Sequence, residues 1–361
     1  LASGLGLVIG ACDRVGGETT PRHRSVTVGA IPLLICAIAF VYYPGFGFAL
    51  PFHRRVVLLA VGIVIAVAGL WAGAARERQA LKEPGLPRKL AKGAALTATL
   101  AVLAAVAVGD ADRATVTPGS IEPPLRVVQL NLNHGHDAQG RFVVHQIADA
   151  LQDQEPDIVV LNEVNRGWMT TGGHDVLRLL SGQLGLVHTF GPAGDEVSGN
   201  AILSRFPIAE TSVDRLPRGQ DPIARSHLIT VLDVAPDEQI AILATELSDV
   251  DHQGATRLPQ ARSIAATLTR LQERGIPVVV AGTFHAEPET PEMATLLETA
   301  HPVFPSGAAT WPSNAPSRQI DHVLTTDRVR VQDAEVLTVQ ATPHRPLQVD
   351  LEVIPEAPEE D

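Results

Sequence analysis

The chain has 361 residues, 45% hydrophobic and 19% charged, with a net charge of −12, which suits two or three structural units. Two unlike halves lie beneath that average: residues 1–109 carry 11 Lys and Arg against 4 Asp and Glu, whereas 110–361 carry 17 Arg, no Lys and 36 Asp and Glu. The acidic half disfavours polymeric nucleic acid as a partner, because it repels a polyanion; both cysteines, Cys12 and Cys36, lie in the basic half, so no disulfide staples the acidic one.

Residues 1–12 are apolar but too short to span a bilayer, and read as the end of a truncated helix. Three longer apolar runs follow, at 26–43, 56–75 and 90–109, each close to the roughly 20 residues a transmembrane helix needs. Tyr42, Tyr43 and Trp71 stand near the ends of the first two, where amphipathic rings suit the interface. Arg14, Arg22 and Arg24 precede the first run, and Arg76, Arg78, Lys82, Arg88, Lys89 and Lys92 separate the second from the third. The positive-inside rule puts both basic loops in the cytoplasm. The chain is then a multi-pass protein of the cell membrane, with its C-terminal domain on the extracytoplasmic side. No run carries a buried acidic residue of the kind that marks an ion path, which argues against a transporter. Residues 110–124, rich in Asp, Thr, Ser, Gly and Pro, read as a linker.

From Leu125 onward, short apolar runs alternate with amphipathic stretches. Strands are expected at 126–132, 157–161, 200–203, 226–234, 239–244, 277–281, 320–324, 329–339 and 347–353, by continuous or alternating apolar residues. Helical spacing appears at 142–152, 176–184, 255–273 and 291–298. The strand content and the late hairpins fit two packed sheets with outer helices better than a doubly wound sheet. Residues 356–361 are acidic and read as a disordered tail.

Polar residues gather at the strand ends: Asn131, Glu163, Glu246, Thr283, His285, Asp321 and His344. Each alone reads as a solvated loop residue. Together they come from the ends of strands that packed sheets bring into one cleft. Arg215, Arg218 and Arg225 offer a local basic patch, for which a solvated loop is the favoured reading.

The blocks RVVQLNLNHG, PDIVVLNEV, GNAILSRFPI, RLPQARSI, PVVVAGTFHAEP, RQIDHVL and TPHRPLQVDLEV, in this order, resemble the endonuclease/exonuclease/phosphatase superfamily, with its deoxyribonuclease- and sphingomyelinase-like domains; the reading is of a bacterial, membrane-anchored member. The resemblance spans about 125–355. It implies a four-layered α/β sandwich of two mixed sheets flanked by helices, and hydrolysis of a phosphoester with Mg²⁺ or Mn²⁺. It further implies that Glu163 and Asn131 bind metal, that Asn131 and Asn200 meet substrate, and that Asp321 orients a catalytic His344. Four positions depart from the family pattern. Thr283 stands where Gly is normally followed by Asp, His285 replaces an Asn, Glu246 replaces a His, and Pro343 replaces the Asp before the catalytic His. Two readings follow. In one, Glu246 and His285 restore the lost chemistry from different strands, giving a metal-dependent phosphodiesterase or phosphatase that acts on a small or lipid-linked phosphoester outside the membrane. In the other, the domain is a catalytically degenerate binding or scaffold module.

Overall fold

The computed structural model describes residues 124–355, apart from 169–170, 220, 237 and 251–254. The apolar segments at 26–43, 56–75 and 90–109, the 356–361 tail, and all but the last residue of the 110–124 linker lie outside the described residues. Among the described residues, no helix is long and apolar enough to cross a membrane.

Two six-stranded mixed sheets form the domain. The first runs β11-β12-β1-β2-β4-β3, built from β1 (Leu125–Asn131), β2 (Ile158–Asn165), β3 (Val187–Pro192), β4 (Ser198–Ser204), β11 (Val329–Val336) and β12 (Leu347–Val353). The second runs β5-β6-β7-β8-β10-β9, built from β5 (Ile208–Arg215), β6 (Ser226–Ala235), β7 (Glu238–Glu246), β8 (Val278–Thr283), β9 (His301–Pro302) and β10 (Asp321–Thr325). Helices α1 (Val144–Gln152) and α2 (Val176–Leu184) cover the first sheet, and α3 (Arg257–Glu273) and α4 (Pro291–Leu296) the second. The expected four-layered sandwich of two mixed sheets flanked by helices is therefore observed.

Side-chain alternation explains the layers. On β1, Leu125 and Val127 join the core between the sheets, while Val128 and Leu130 join the core under α1 and α2. On β8, Val279 and Ala281 face the other sheet, and Val278 and Val280 face α3. Helix α1 buries Val144, Ile147, Ala148 and Leu151, the spacing of one helical face. Asp175 caps α2 by accepting from Arg178 N at 3.1 Å, and Gly185 ends it in the left-handed conformation (φ 67°), where glycine pays no steric penalty. Pro291 sits in the first turn of α4, where its missing N–H costs nothing.

Three strands carry no strand signal in the sequence: β3, β5 and β9. All three are sheet edges. Seven of the eight residues of β5 are exposed, so no apolar face marks it.

Candidate active site

The same alternation that builds the core also builds the site. Inner-face positions are apolar along most of each strand and turn polar at one end. On β1 the series is Leu125, Val127, Gln129, Asn131; on β7 it is Ile240, Ile242, Ala244, Glu246; on β8 it is Val279, Ala281, Thr283. On β10, Val323 leads back to Asp321 at the same end, because β10 is antiparallel to β8 with Asp321 opposite Thr283. Glu246 lies opposite Thr283 across the parallel β7–β8 pair. Glu246, Thr283 and Asp321 therefore stand side by side on three adjacent strands. Gly282 permits this spacing, since a Cβ there would meet the Thr245 carbonyl oxygen at 1.9 Å.

Glu163 joins the row through a bulge. The β2–β4 register shifts between Leu161 and Val164, and Glu163 adopts φ 51°, an unusual conformation for a residue with a Cβ. Bulges re-aim side chains. Here the bulge sets Glu163 against β1, where Asn131 Nδ2 donates to its Oε1 at 3.0 Å. The same Nδ2 donates to Thr283 Oγ1 at 3.1 Å, which ties the two sheets together. Asn131 Oδ1 accepts from Asn133 N at 2.9 Å.

Thr283 Oγ1 passes the chain on, donating to Asp321 Oδ1 at 2.7 Å. Asp321 Oδ2 receives Thr310 Oγ1 at 2.6 Å and His344 Nδ1 at 2.8 Å. Burial raises the Asp321 carboxyl, but His344 and the hydroxyls of Thr310 and Thr283 outweigh it and leave its pKa below the usual value. Burial lowers the His344 imidazole, and Asp321 outweighs that, with smaller contributions from Glu163 and Glu246, so its pKa is raised. His344 is thus within electrostatic reach of three carboxylates. The carboxylate holds Nδ1 and leaves Nε2 as the working nitrogen. Thr342 Oγ1 donates to Asn131 O at 2.9 Å, pinning the His344 loop to β1.

Glu246 has a different partner. The Arg225 guanidinium contacts its Oε1 through Nη1. Arg225 also reaches Asp249 at 2.8 Å and Asp221 at 3.5 Å. Burial pushes the Glu246 carboxyl up; Arg225 and His285 pull it down further, to about 2. Arg225 is buried and its pKa raised. The solvated-loop reading of the arginine patch is therefore wrong for Arg225, although Arg215 and Arg218 are exposed. His285 Nε2 lies 3.4 Å from Glu246 Oε1.

Asn200, expected at the substrate, is 1% exposed. Its Oδ1 accepts from Asn162 Nδ2 at 2.8 Å, and its Nδ2 donates to Ser226 O at 3.0 Å. With Gln129, Asn162 and Thr245 O it forms a polar string between the sheets behind the row.

A hard divalent cation, which the fold implies, needs oxygen donors. Among the described residues, no cluster of three or more His, Cys, Asp or Glu could hold a metal. Glu246 is tied to Arg225 and Asp321 to His344, which leaves Glu163, with the second lone pair of Asn131 Oδ1 nearby. That donor set fits a cation held by one carboxylate and completed by water and phosphate oxygens, as Mg²⁺ often is. It is not a protein cage.

A model of the family described as "Endonuclease/Exonuclease/phosphatase family" matches residues 128–344. The chain belongs to this family. An endonuclease/exonuclease/phosphatase family protein of Bacteroides thetaiotaomicron is similar in fold, at 17% identity and TM-score 0.55, over 65% of this chain and 100% of that one. The mannosyl-6-phosphatase Bt3783 of the same organism gives 17% identity and TM-score 0.53, over 63% of this chain and 99% of that one. The human Nocturnin catalytic domain, solved with a bound sulfate anion, gives 20% identity and TM-score 0.54, over 64% and 94%. The protein cwh43 of Schizosaccharomyces pombe is 33% identical over 81 residues, 22% of this chain and 8% of that protein. Kinship with the family's phosphoesterases supports a hydrolase-like function and is consistent with a divalent cation.

Thr310 and His134 are absent from the expected site residues, and Arg225 is expected only as part of a solvated basic patch. Thr310 comes from a loop with no periodic signal. Arg225 meets Asp221 four residues away, but Glu246 and Asp249 lie 21 and 24 residues away, so its burial is set largely outside its own segment. His134, whose Nε2 lies 3.5 Å from Glu163 Oε2, sits inside the NLNHG block, which contained the only available hint.

Proposed function

We propose that this domain hydrolyses a phosphoester with the help of Mg²⁺ or Mn²⁺, using His344 and Asp321 as its imidazole–carboxylate pair. The observation that carries the reading is the continuous chain from Glu163 through Asn131 and Thr283 to Asp321 and His344, every link 3.1 Å or shorter. Glu163, with Asn131, would hold the cation, which supplies Lewis-acid neutralisation of the phosphoryl oxygens. His344 Nε2–H donates to the phosphoryl group and protonates the leaving oxygen. Asp321 fixes the ring and favours its protonated form. Asn131 positions Glu163. Asn200 acts from behind, holding Asn162 and the two sheets in register.

The substrate we propose is a small or lipid-linked phosphoester outside the membrane. The net charge of −19 over residues 110–361 supports this over a nucleic-acid polymer. The three apolar segments and their basic loops support a bilayer as the partner of the N-terminal half, with an extracytoplasmic C-terminal domain. Tethering would raise the effective concentration of a lipid-borne substrate.

One observation favours the alternative of a non-catalytic binding module. Thr283 spends its hydroxyl inside the row, where the family has a carboxylate, and a hydroxyl is no base near neutral pH. Release of p-nitrophenol from a bis(p-nitrophenyl) phosphodiester and from the monoester, with Mg²⁺ or Mn²⁺, separates the two readings. Cation-dependent turnover lost in Glu163→Ala and His344→Ala supports the hydrolase. Cation-dependent stabilisation without turnover supports the binding module.

A further inference from the structure

An activated water needs a base, and the family's Asp is Thr283 here. The other carboxylates of the row are committed. Asp321 accepts from Thr283, Thr310 and His344. Glu246 is held by Arg225, and an ion-paired carboxylate with a pKa near 2 is a weak proton acceptor. Glu163 is the cation's ligand in the reading above. His344, whose pKa is raised by the adjacent Asp321 carboxylate, is placed to give a proton rather than take one.

His285 remains. It follows the last residue of β8 by two, and its Nε2 faces Glu246 Oε1 at 3.4 Å. Its backbone sits at φ 50°, a conformation that non-glycine residues hold only when their surroundings demand it. The surroundings do: Phe284 is fully buried, and its N–H donates to Ile320 O at 2.7 Å. The His285 side chain is 17% exposed, buried enough to be oriented and open enough to meet water. Behind it runs a charged relay. Glu246 orients His285, Arg225 fixes Glu246, and Asp249 and Asp221 fix Arg225. Asp221 is itself immobilised by Ile223 N at 2.8 Å.

We propose that His285 is the general base of this site, and that Glu246 and Arg225 are its positioning residues. The proposal rests on the phosphoester-hydrolase reading. Glu246 accepts the Nε2–H of neutral His285, leaving Nδ1 as the proton acceptor. Nδ1 takes a proton from water while the water oxygen bonds to phosphorus. The bond from phosphorus to the leaving oxygen breaks, and that oxygen takes the proton of His344 Nε2. His285 ends protonated and His344 neutral, and exchange with solvent restores both. The site then has two imidazole–carboxylate pairs, His344–Asp321 as acid and His285–Glu246 as base. The Thr283, Glu246 and His285 departures from the family pattern become parts of one rearrangement.

The test uses the full chain with Mn²⁺ and bis(p-nitrophenyl) phosphate. His285→Ala should lower kcat about 10²–10⁴-fold, the usual contribution of a general base, with KM little changed. Added imidazole should restore part of the rate; His285→Gln serves if the alanine variant does not fold. In ¹⁵N spectra of the histidine rings, His285 should be the Nε2–H tautomer, and Glu246→Gln should abolish that preference. Loss of activity in His344→Ala with His285→Ala near wild type overturns this inference and spares the hydrolase reading. Loss in His285→Ala that imidazole does not relieve, or an Nδ1–H tautomer in the wild type, also overturns it. A wild-type chain without turnover removes the hydrolase reading itself.

Discussion

Asp321→Asn tests the centre of the site most sharply. The wild-type carboxylate is fully buried and accepts from Thr283, Thr310 and His344 at 2.6–2.8 Å. An amide of the same shape turns one acceptor into a donor, so an NH₂ must oppose either Thr283 or the Thr310–His344 side. Removing one member of a buried pair costs about 3–5 kcal/mol. For a domain of this size that is a fall in melting temperature of roughly 6–20 °C. The loss should depend on pH. His344 has a folded pKa raised above 6.5, so its stabilisation is fully present below 6.5 and fades as pH rises through the folded value. Asp321 has a folded pKa below 3.8, so its share is present above 3.8 and fades as pH falls through the folded value. The penalty of Asp321→Asn is therefore greatest between pH 3.8 and 6.5 and smaller in alkali. Thermal unfolding of both proteins, followed by tryptophan fluorescence at pH 5, 7 and 9, measures it. A variant that unfolds with the wild type at pH 5, or a difference that grows with pH, refutes the reasoning.

Three further outcomes follow from the same geometry. Arg225→Leu leaves Glu246 and Asp221 without their cation and should cost about 3–5 kcal/mol at neutral pH; because the depressed Glu246 pKa stabilises above 4.5 and is lost as pH falls towards 2, the difference from wild type should shrink in acid melts. Glu163→Gln should leave the metal-free protein within about 1 kcal/mol of wild type, yet remove the cation-induced stabilisation, about 2.7 kcal/mol at a hundredfold excess over Kd, which thermal shifts with and without Mn²⁺ would read. Asn162→Leu strips bonds from Gln129, Asn200 and Thr245 O, and at about 1–3 kcal/mol per buried group left unsatisfied it should destabilise more than Asn200→Ala in the same melts.

The sandwich was legible because its central strands are buried on both faces. DIVVL and PVVVA admit few other readings, and β12 and α2 have the bounds expected for them. Edge strands carry no such signal: IAETSVDR lies along β6 with every residue but the first exposed, and its alternation is too polar to mark a strand. The site was legible at the level of strand ends. Counting by twos from Val127, Ala244 or Val279 lands on polar residues at one rim, so their gathering followed from parity alone. Distance and pairing did not follow. The bulge that turns Glu163 toward Asn131 breaks parity, and nothing in LNEVN marks a left-handed Glu163. Arg225 reads as a solvated loop residue because its counter-charges are spread from Asp221 to Asp249 and meet only in three dimensions, where they bury it. Asn200 lay in the right block, but its amide is used between the sheets, an outcome that requires knowing Asn162 and Ser226 are its neighbours.

The central claim is that this row of residues breaks a phosphoester with water. The most direct measurement is ³¹P NMR of products formed by the full chain in H₂¹⁸O with Mn²⁺, beside His344→Ala. The account predicts one ¹⁸O atom in the released phosphate or phosphomonoester, at a rate that falls at least about a hundredfold in the variant. Equal rates in the two proteins, or a product phosphate without ¹⁸O, would contradict it.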